Sequence, residues 1–474
     1  MNQREMVLVL LGSVLVALFS ARPYAGGWND SSRLAAVECL VDYGTLSIDQ
    51  SIFVDPAHAS NASAKPYAPD DRMLTAFGTL DKVMVQDRYY SDKPMVPAVL
   101  MAGGYQLLQW ATGLKASSRP DWFAYAMTVI SSGLAYVVAV LAVYTLGRNL
   151  LPQRYWAVAV TASFGLGTAA LTYTRHTSSH ECLLGIAAAL MLGLHVLVRK
   201  LEGGVRPWAL VAGLGVLAGL GYTMEFAAGP LLLLSTAPLI AWRLRVLRSQ
   251  GVALAAVYVL AAAPFVILHH LLNYLIGGTI LPVNMVPAYL AWPGSPFGPA
   301  SATGHWHHGN LARGMLYALE LLFGKKGFLL HQPVLILALA AGILLLVRER
   351  SRLREWPEMV FCLLWSGATW LIYAWGSSNQ GGLCATIRWF VPLLAPGYYL
   401  LMVVLRYLPG CYRQFLVLAA SGLLLSTLMW WYGPWMPHMV PGYWFILAGT
   451  LAVWSLVAFR GEPIKVVCVS EKHR

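Results

Sequence analysis

Charged residues are scarce in this sequence. They make up 11% of its 474 residues, whereas 58% are hydrophobic; soluble domains average about 25% charged and about 45–50% apolar residues. This composition excludes a soluble globular protein and predicts an all-α polytopic membrane protein. None of the six cysteines forms a Cys-x-x-Cys pair, so neither a zinc site of that kind nor a disulfide framework is predicted.

Acidic residues are fewer than basic ones, and the formal net charge is +12. No basic run is interleaved with aromatic residues, so nucleic acid is not an expected partner. Most Lys and Arg residues lie instead in short clusters between apolar segments, where positive charge marks the cytoplasmic side of a membrane protein. The net charge is therefore interpreted as a signal of topology.

Apolar segments long enough to cross a bilayer, which takes about 20 residues, occur twelve times. We therefore predict about twelve transmembrane helices in a single integral membrane domain, residues 1–474. The stretch at 95–112 contains Pro97 and two glutamines, and it is interpreted as an interfacial helix. The twelve segments lie near residues 6–21, 122–146, 155–174, 182–198, 208–222, 227–242, 252–272, 331–347, 359–374, 390–405, 415–431 and 443–459.

The positive-inside rule gives these segments an orientation. With 95–112 outside the bilayer core, the basic short loops all fall on one side, which predicts that both termini are cytoplasmic. The chain then has a first external loop at 22–121, a second long external loop at 273–330 and a cytoplasmic tail at 460–474. We expect a multi-pass protein of the cell (inner) membrane. A signal peptide is the alternative for the first span, although Glu5 interrupts its basic start.

Most of the carboxylates on the external side fall in the first external loop, so function is expected there. Asp30 follows the first span, at the start of a helix that the spacing of Leu34, Val37, Leu40 and Val41 predicts. Its carboxylate is expected beside the positive end of that helix, which favours the ionised form. The alternative is that the Asp30 side chain only caps the helix.

A short hairpin is predicted at 81–91, with two strands around Asp87 and Arg88. It leads to Asp92-Lys93, a carboxylate followed by an ammonium at a fixed turn. This pairing suits a site that holds a metal ion through oxygen and a phosphate through the ammonium. An ordinary exposed ion pair is the alternative interpretation.

These residues together resemble the GT-C superfamily of membrane glycosyltransferases. The features shared are an Asp after the first span, a long external loop with surface helices, and a Tyr-x-Asp-Lys-Pro stretch at 90–94. The likeness is to the protein O-mannosyltransferases, to the aminoarabinose transferases that modify lipid A, and to their bacterial relatives. It implies a GT-C-like fold with external interfacial helices, Asp30 as the catalytic base, and Asp92 and Lys93 at the phosphate of a lipid donor. Some members also use a divalent metal ion.

Further elements are similar to parts of the same superfamily. Arg388 ends a Gly-Gly-x-x-x-x-x-Arg-aromatic stretch, which implies a second phosphate ligand; an interfacial anchor is the alternative. His180-Glu181 stands where these enzymes carry a second acidic or metal-binding motif, but it does not continue as His-Glu-x-x-His. The element at 323–333 resembles a Gly-rich stretch before a span. The histidines at 305–308 are interpreted as a solvated loop.

The function that the resemblance implies is glycosyl transfer. A hexose or pentose would pass from a polyprenyl-phosphate-linked donor to an acceptor at the external (periplasmic) face, with inversion at the anomeric carbon. The acceptor is not indicated: a lipid, a protein or a polysaccharide all fit, and membrane lipids are the other expected partners. The alternative is a transporter or flippase of lipid-linked sugars. Transporters place ionisable groups near the middle of the membrane, where the predicted spans carry no Asp, Glu, Lys or Arg.

Overall fold

A computed structural model describes residues 3–60, 66–68, 70–298 and 302–460. Except for Arg460, the predicted tail lies outside the described residues. The protein is an all-α polytopic membrane protein. The helices of the described ranges are α1 (Gln3–Ser20), α2 (Trp28–Asp42), α3 (Arg72–Phe77), α4 (Met95–Thr112), α5 (Pro120–Thr128), α6 (Leu134–Leu150), α7 (Arg154–Leu166), α8 (Ala169–Tyr173), α9 (Ser179–Glu202), α10 (Trp208–Tyr222), α11 (Ala228–Leu244), α12 (Ser249–Gly277), α13 (Pro287–Leu290), α14 (Leu311–Phe323), α15 (Phe328–His331), α16 (Val334–Glu349), α17 (Trp356–Gly376), α18 (Leu394–Tyr407), α19 (Tyr412–Tyr432) and α20 (Tyr443–Arg460).

Helix length limits the number of spans. In the described part of the chain, nine helices are long and apolar enough to cross a membrane, and a tenth candidate bends by 102° between α15 and α16. The predicted count of about twelve is therefore higher than the helix lengths support. The two remaining predicted segments form shorter helices, because α10 has 15 residues and the segment at 155–174 is divided into α7 and α8.

The break between α7 and α8 lies where α19 packs against them. A Cβ atom on Gly422 of α19 would come 2.7 Å from the carbonyl oxygen of Gly167. Thr168 caps the start of α8, because its hydroxyl accepts a hydrogen bond from the amide of Ala170 at 3.3 Å. Small residues allow two backbones to approach closely. This close packing accompanies an interruption that a count of apolar residues does not reveal.

Burial separates central spans from peripheral ones. The apolar window of Arg388–Tyr407, which contains α18, is 89% buried, whereas the windows of α1 and α20 are 17% and 6% buried. Exposed leucines and phenylalanines on α1 and α20 include Leu8, Phe19 and Phe445. In a membrane protein such side chains contact lipid, so α18 lies at the centre of the bundle and α1 and α20 lie at its edge.

The region that the sequence predicts as the first external loop forms a layer with its own hydrophobic core. α2 packs on α4, and the end of α12 adds Leu272 and Ile276 to the same core. α4 has 18 residues, but it is not one of the described helices that are long and apolar enough to cross a membrane. It begins after Pro94 and ends before Gly113, which has a φ of +69°. Its location along the membrane surface stays a prediction.

A two-stranded hairpin lies in this layer. β1 (Lys82–Val85) and β2 (Arg88–Ser91) pair antiparallel, and Gln86 and Asp87 form the turn with φ values of +50° and +60°. Two consecutive residues with positive φ are typical of the turn type that matches the twist of a hairpin. The turn therefore begins one residue earlier than the sequence predicted.

Candidate active site

A cavity of about 350 Å³ lies between the layer that contains α2 and the hairpin and the ends of the spans; we call it the main cavity. This volume falls within the usual size of ligand sites, about 300–1,000 Å³. Its described lining includes three cationic side chains and three carboxylates. The charged and polar lining residues are Asn29, Arg33, Asp81, Asp92, Lys93, His180, Glu225, Asn284, Thr303, His307, Ser377, Ser378, Asn379 and Arg388.

Lys93 joins two carboxylates on one side of the main cavity. Its Nζ lies 2.8 Å from Oδ2 of Asp81 and 2.7 Å from Oδ2 of Asp92. The hairpin explains this arrangement: Lys82 pairs with Ser91, so Asp81 and Asp92 are the residues at which the two strands leave the hairpin side by side. The three side chains are 13–16% exposed, so they are largely shielded from solvent.

The two carboxyls of this trio differ in their pKa. Burial raises the pKa of Asp81, but the Lys93 ammonium, together with Arg388 and Arg33, holds that pKa below its usual value. The pKa of Asp92 is raised, because burial outweighs the attraction of Lys93 and the charge of Asp81 adds to the effect. Asp92 is also tied to α2, since the Ser32 hydroxyl donates to its Oδ1 at 3.3 Å. Asp92 is therefore the carboxyl of this trio that takes up a proton more readily.

Arg33 and Glu225 form a second ionic group. Nη2 of Arg33 donates to the Ser179 hydroxyl and lies 3.7 Å from Oε1 of Glu225. The same Glu225 oxygen accepts a hydrogen bond from Ser179, and Nδ1 of His180 is 3.2 Å away. Burial raises the pKa of Glu225 although Arg33 opposes the shift. α2, the start of α9 and the loop between α10 and α11 thus meet through these side chains.

Arg388 faces the main cavity without a carboxylate partner in the described residues. It begins a short 3₁₀ segment, Arg388–Leu393, directly before α18. Its guanidinium lies 5.5 Å from the ring centroid of Trp435, and its Nε has no hydrogen-bond partner among the described residues. An arginine held against an aromatic ring, with its Nε donor unused, is suited to bind an anion in a bidentate manner.

Asp30 is placed differently from the other predicted residues. It is 1% exposed and does not line the main cavity. Its Oδ2 accepts the amide hydrogen of Gly26 at 2.7 Å and lies 3.4 Å from Nδ1 of His176. Asp30 does not cap α2, the alternative that the sequence left open, because the N-cap is Gly27, which has no side-chain cap hydrogen bond, and the amide that Asp30 accepts from belongs to the residue before it. The role of Asp30 as the base stays a prediction.

The two residues of the predicted pair His180-Glu181 face different parts of the structure. His180 lines the main cavity, but Glu181 does not; it is fully buried, and its two carboxylate oxygens have no hydrogen-bond partner among the described residues. Adjacent residues on a helix point about 100° apart, so one face of α9 presents His180 to the cavity and another turns Glu181 away from it. Their predicted joint role remains untested.

Lys326 of the Gly-rich element at 323–333 and two of the histidines at 305–308 contact backbone carbonyl groups. Nζ of Lys326 donates to the carbonyl of Gly382 at 2.7 Å and so ties the Gly-rich element to the loop before Arg388. His307 lines the main cavity and contacts the carbonyl of Ala302 at 3.0 Å, and His308 contacts that of Ala374 at 2.8 Å. These two histidines are partly buried and hydrogen-bonded to the backbone, so they are not fully solvated as the sequence predicted for this loop.

The main cavity does not fit a resident divalent metal as its residues are arranged. Among the described residues, no group of three His, Cys, Asp or Glu side chains is placed to hold one. The Lys93 ammonium stands between Asp81 and Asp92, where a cation would otherwise lie.

Three residues of the cavity were absent from the predicted site: Arg33, Asp81 and Glu225. Asp81 could have been found from the hairpin, because the residue that precedes the first strand lies opposite the one that follows the second. Arg33 lies one turn after Asn29, and both line the cavity. No local signal identifies Glu225, which reaches the site only through the packing of α9, α10 and α11.

Several solved structures resemble this chain. ArnT from Cupriavidus metallidurans in the apo state is 14% identical, with a TM-score of 0.48 over 95% of this chain and 75% of that one. The same enzyme bound to undecaprenyl phosphate is 12% identical, with a TM-score of 0.46 over 96% and 77%. An apo oligosaccharyltransferase from Archaeoglobus fulgidus is 14% identical, with a TM-score of 0.45 over 96% and 55%.

These structural neighbours are GT-C glycosyltransferases, the superfamily that the sequence resembles. At these identities and TM-scores the likeness assigns no activity and no residue role to this chain. No protein-family model matches this sequence. No curated protein sequence matches it either.

Proposed function

We propose that this protein transfers a sugar from a polyprenyl-phosphate-linked donor to an acceptor at the external face of the membrane. The observation that supports the proposal most directly is the main cavity, where Arg33, Lys93 and Arg388 face the same space as three carboxylates at the ends of the spans. A lipid phosphate needs cations close to the bilayer, and a transferred hydroxyl proton needs a base. The main cavity supplies both.

Arg388 is the first ligand of the donor phosphate in this proposal. Lys93 is already neutralised by Asp81 and Asp92, and Arg33 is paired with Glu225. Of the three cationic side chains that line the main cavity, only Arg388 has no carboxylate partner among the described residues. Its charge is therefore available to an incoming anion. The polyprenyl chain of the donor would lie along the apolar spans, where its burial adds about 0.8 kcal/mol per CH₂ group.

The chemical step is an inverting displacement. The acceptor oxygen attacks the anomeric carbon, the bond from that carbon to the phosphate oxygen breaks, and polyprenyl phosphate leaves with the electron pair. The acceptor proton passes to a carboxylate. We assign the role of this base to Asp92, which faces the main cavity and has a raised pKa. Asp30 is the candidate that the sequence favours for the same role. Cations at the phosphate stabilise the charge that develops on it.

The test uses the full chain, purified and reconstituted in lipid nanodiscs. Undecaprenyl phosphate binding and transfer from radiolabelled mannosyl undecaprenyl phosphate to cell-envelope acceptors are measured separately. Arg388→Gln should weaken undecaprenyl phosphate binding at least about tenfold, because a charged hydrogen bond is lost. Asp92→Asn should lower the transfer rate about 10²–10⁴-fold while binding is retained, because the base is removed.

Asp30→Asn is measured beside Asp92→Asn, and the variant that loses transfer identifies the base. The matched control is Asp121→Asn, which removes an exposed carboxylate that pairs with Arg119 in the same external region. It should leave both binding and transfer unchanged. The proposal is wrong if folded Arg388→Gln binds undecaprenyl phosphate as the unchanged protein does, or if both Asp92→Asn and Asp30→Asn transfer sugar at the unchanged rate.

A further inference from the structure

A second cavity of about 240 Å³ opens beside the main cavity; we call it the side cavity. The two cavities meet at Asp92 and Lys93, and their linings share Asp92, Lys93, Pro94, Glu225, Phe226 and Asn284. The rest of the side cavity lies between the end of α10, the start of α11, the external end of α12 and the loop at 281–285. This volume is somewhat below the about 300–1,000 Å³ of typical ligand sites, so the side cavity suits a small ligand such as one sugar ring.

Asn273 gives the side cavity an unused hydrogen-bond donor. It lies on α12, is 6% exposed and lines the side cavity. Its Nδ2 has no hydrogen-bond partner in the described structure. A buried amide left unpaired is costly, about 1–3 kcal/mol, so such groups are usually satisfied by a ligand or by water. Buried His269 lies one turn before Asn273 on the same helix and lines the same cavity.

Tyr222 gives the side cavity an acceptor. Nδ1 of His270 lies 2.8 Å from the carbonyl oxygen of Ile280, which can only accept, so Nδ1 carries the proton. Nε2 of His270 is then an acceptor for the Tyr222 hydroxyl at 2.7 Å. The Tyr222 oxygen, having donated its proton, retains lone pairs for a ligand hydroxyl. A donor and an acceptor in one apolar cavity match a group that both donates and accepts, as a sugar hydroxyl does.

Charge in the side cavity is compensated already. Oδ2 of Asp92 is held by Lys93, and Oε1 of Glu225 lies within reach of Ser179, His180 and Arg33. Each described carboxylate of this lining therefore already has a cationic or hydrogen-bonding partner, with which the ammonium of an amino sugar would have to compete. Lys93 lies between two carboxylates, so no cation is left for a uronic acid. The remaining wall includes the apolar side chains of Phe226, Pro230, Leu281, Pro282, Val283 and Met285.

We propose that the side cavity binds one uncharged, hydroxyl-bearing sugar ring. This inference rests on the proposed function, which places the phosphate at Arg388 in the main cavity. The ring can be the sugar of the donor or a sugar of the acceptor, and both would reach the reacting centre beside Asp92 from this side. The chemistry that the cavity recognises is the same in the two cases.

The experiment measures binding to the full chain in nanodiscs. The probes are undecaprenyl phosphate, mannosyl undecaprenyl phosphate, its glucosaminyl counterpart, and octyl β-glucoside added in the presence of undecaprenyl phosphate. Asn273→Leu and Tyr222→Phe each remove one hydrogen bond, and each should weaken the binding of a neutral sugar about three- to tenfold. Neither should change the affinity for undecaprenyl phosphate alone, which also shows that the variants are folded. The matched control is Tyr274→Phe, because Tyr274 is exposed on the same helix.

The two sources of the sugar give different results. A loss confined to mannosyl undecaprenyl phosphate places the donor sugar in the side cavity, and a loss confined to octyl β-glucoside places an acceptor sugar there. The inference is overturned if the variants bind every probe as the unchanged protein does, or if the glucosaminyl probe binds as tightly as the mannosyl one. Failure of undecaprenyl phosphate to bind in an Arg388-dependent manner would instead refute the proposed function.

Discussion

Removal of the Lys93 ammonium tests how the main cavity holds its charges. In Lys93→Met, Asp81 and Asp92 remain side by side in a setting where they are 13–16% exposed. Removing one member of a buried ion pair costs about 3–5 kcal/mol, because the charge left behind is neither solvated nor paired. Here two carboxylates lose the same partner, so the free energy of unfolding near pH 8 should fall by at least about 3 kcal/mol.

The sign of the pH dependence follows from the pKa of each carboxyl. In the unchanged protein the pKa of Asp81 is lowered, so the stability it contributes is present above the unfolded pKa, about 3.9, and is lost as the pH falls through the folded pKa. Without Lys93, burial and mutual repulsion raise the pKa of at least one carboxyl. That group stabilises the protein at low pH and loses its contribution as the pH rises through the raised value. The deficit of Lys93→Met should therefore shrink between pH 8 and pH 5.

The assay is thermal unfolding of detergent-purified protein, followed by tryptophan fluorescence between pH 5 and pH 8. Lys93→Arg keeps the charge, so its Tm deficit should vary little with pH. The double variant Lys93→Met/Asp81→Asn leaves a single carboxylate, so it should recover part of the stability lost at pH 8. A deficit in Lys93→Met that is equal at pH 5 and pH 8 would refute the electrostatic explanation, and would leave only the loss of side-chain packing.

Two further predictions concern the backbone and the topology. A Cβ on Gly78, at a φ of +63°, would come 2.3 Å from the carbonyl oxygen of Val54, whereas a Cβ on Gly44, at +64°, would meet nothing within 4 Å. Gly78→Ala should therefore lower the Tm clearly more than Gly44→Ala in the same melting assay; equal losses would show that only the left-handed backbone matters. In a cysteine-free background, a cysteine at exposed Lys115 should react with an impermeant thiol reagent from outside and one at exposed Arg154 only after permeabilisation. The opposite pattern would reverse the predicted topology.

The sequence predicted the apolar helices better than their number. Length and hydropathy are properties of a segment, so spans such as Ser249–Gly277 are visible in the sequence alone. The end of a helix also depends on its neighbours. The break after α7 coincides with the close packing of Gly422 on Gly167, residues that lie far apart in the sequence.

The site residues also divide into those that a short motif predicts and those that only the packing of helices brings to the cavity. Asp92, Lys93 and Arg388 were predicted from short motifs, and the structure brings them to one cavity. Asp30 was predicted from its position after the first span, but a helix turns by 100° per residue, so the neighbouring Asn29 faces the cavity while Asp30 does not line it. Glu225 required knowledge of how α9, α10 and α11 pack, which no local pattern contains.

The arrangement of charges links proton uptake to departure of the leaving group. A donor phosphodiester carries one negative charge, whereas the polyprenyl phosphate that leaves approaches two. The cavity must therefore supply more positive charge as the reaction proceeds. Before the step, Lys93 is neutralised by Asp81 and Asp92. When Asp92 accepts the acceptor proton, one of those carboxylates becomes neutral, so Lys93 attracts the leaving phosphate more strongly. In this proposal the general base and the stabilisation of the leaving group act through the same ammonium.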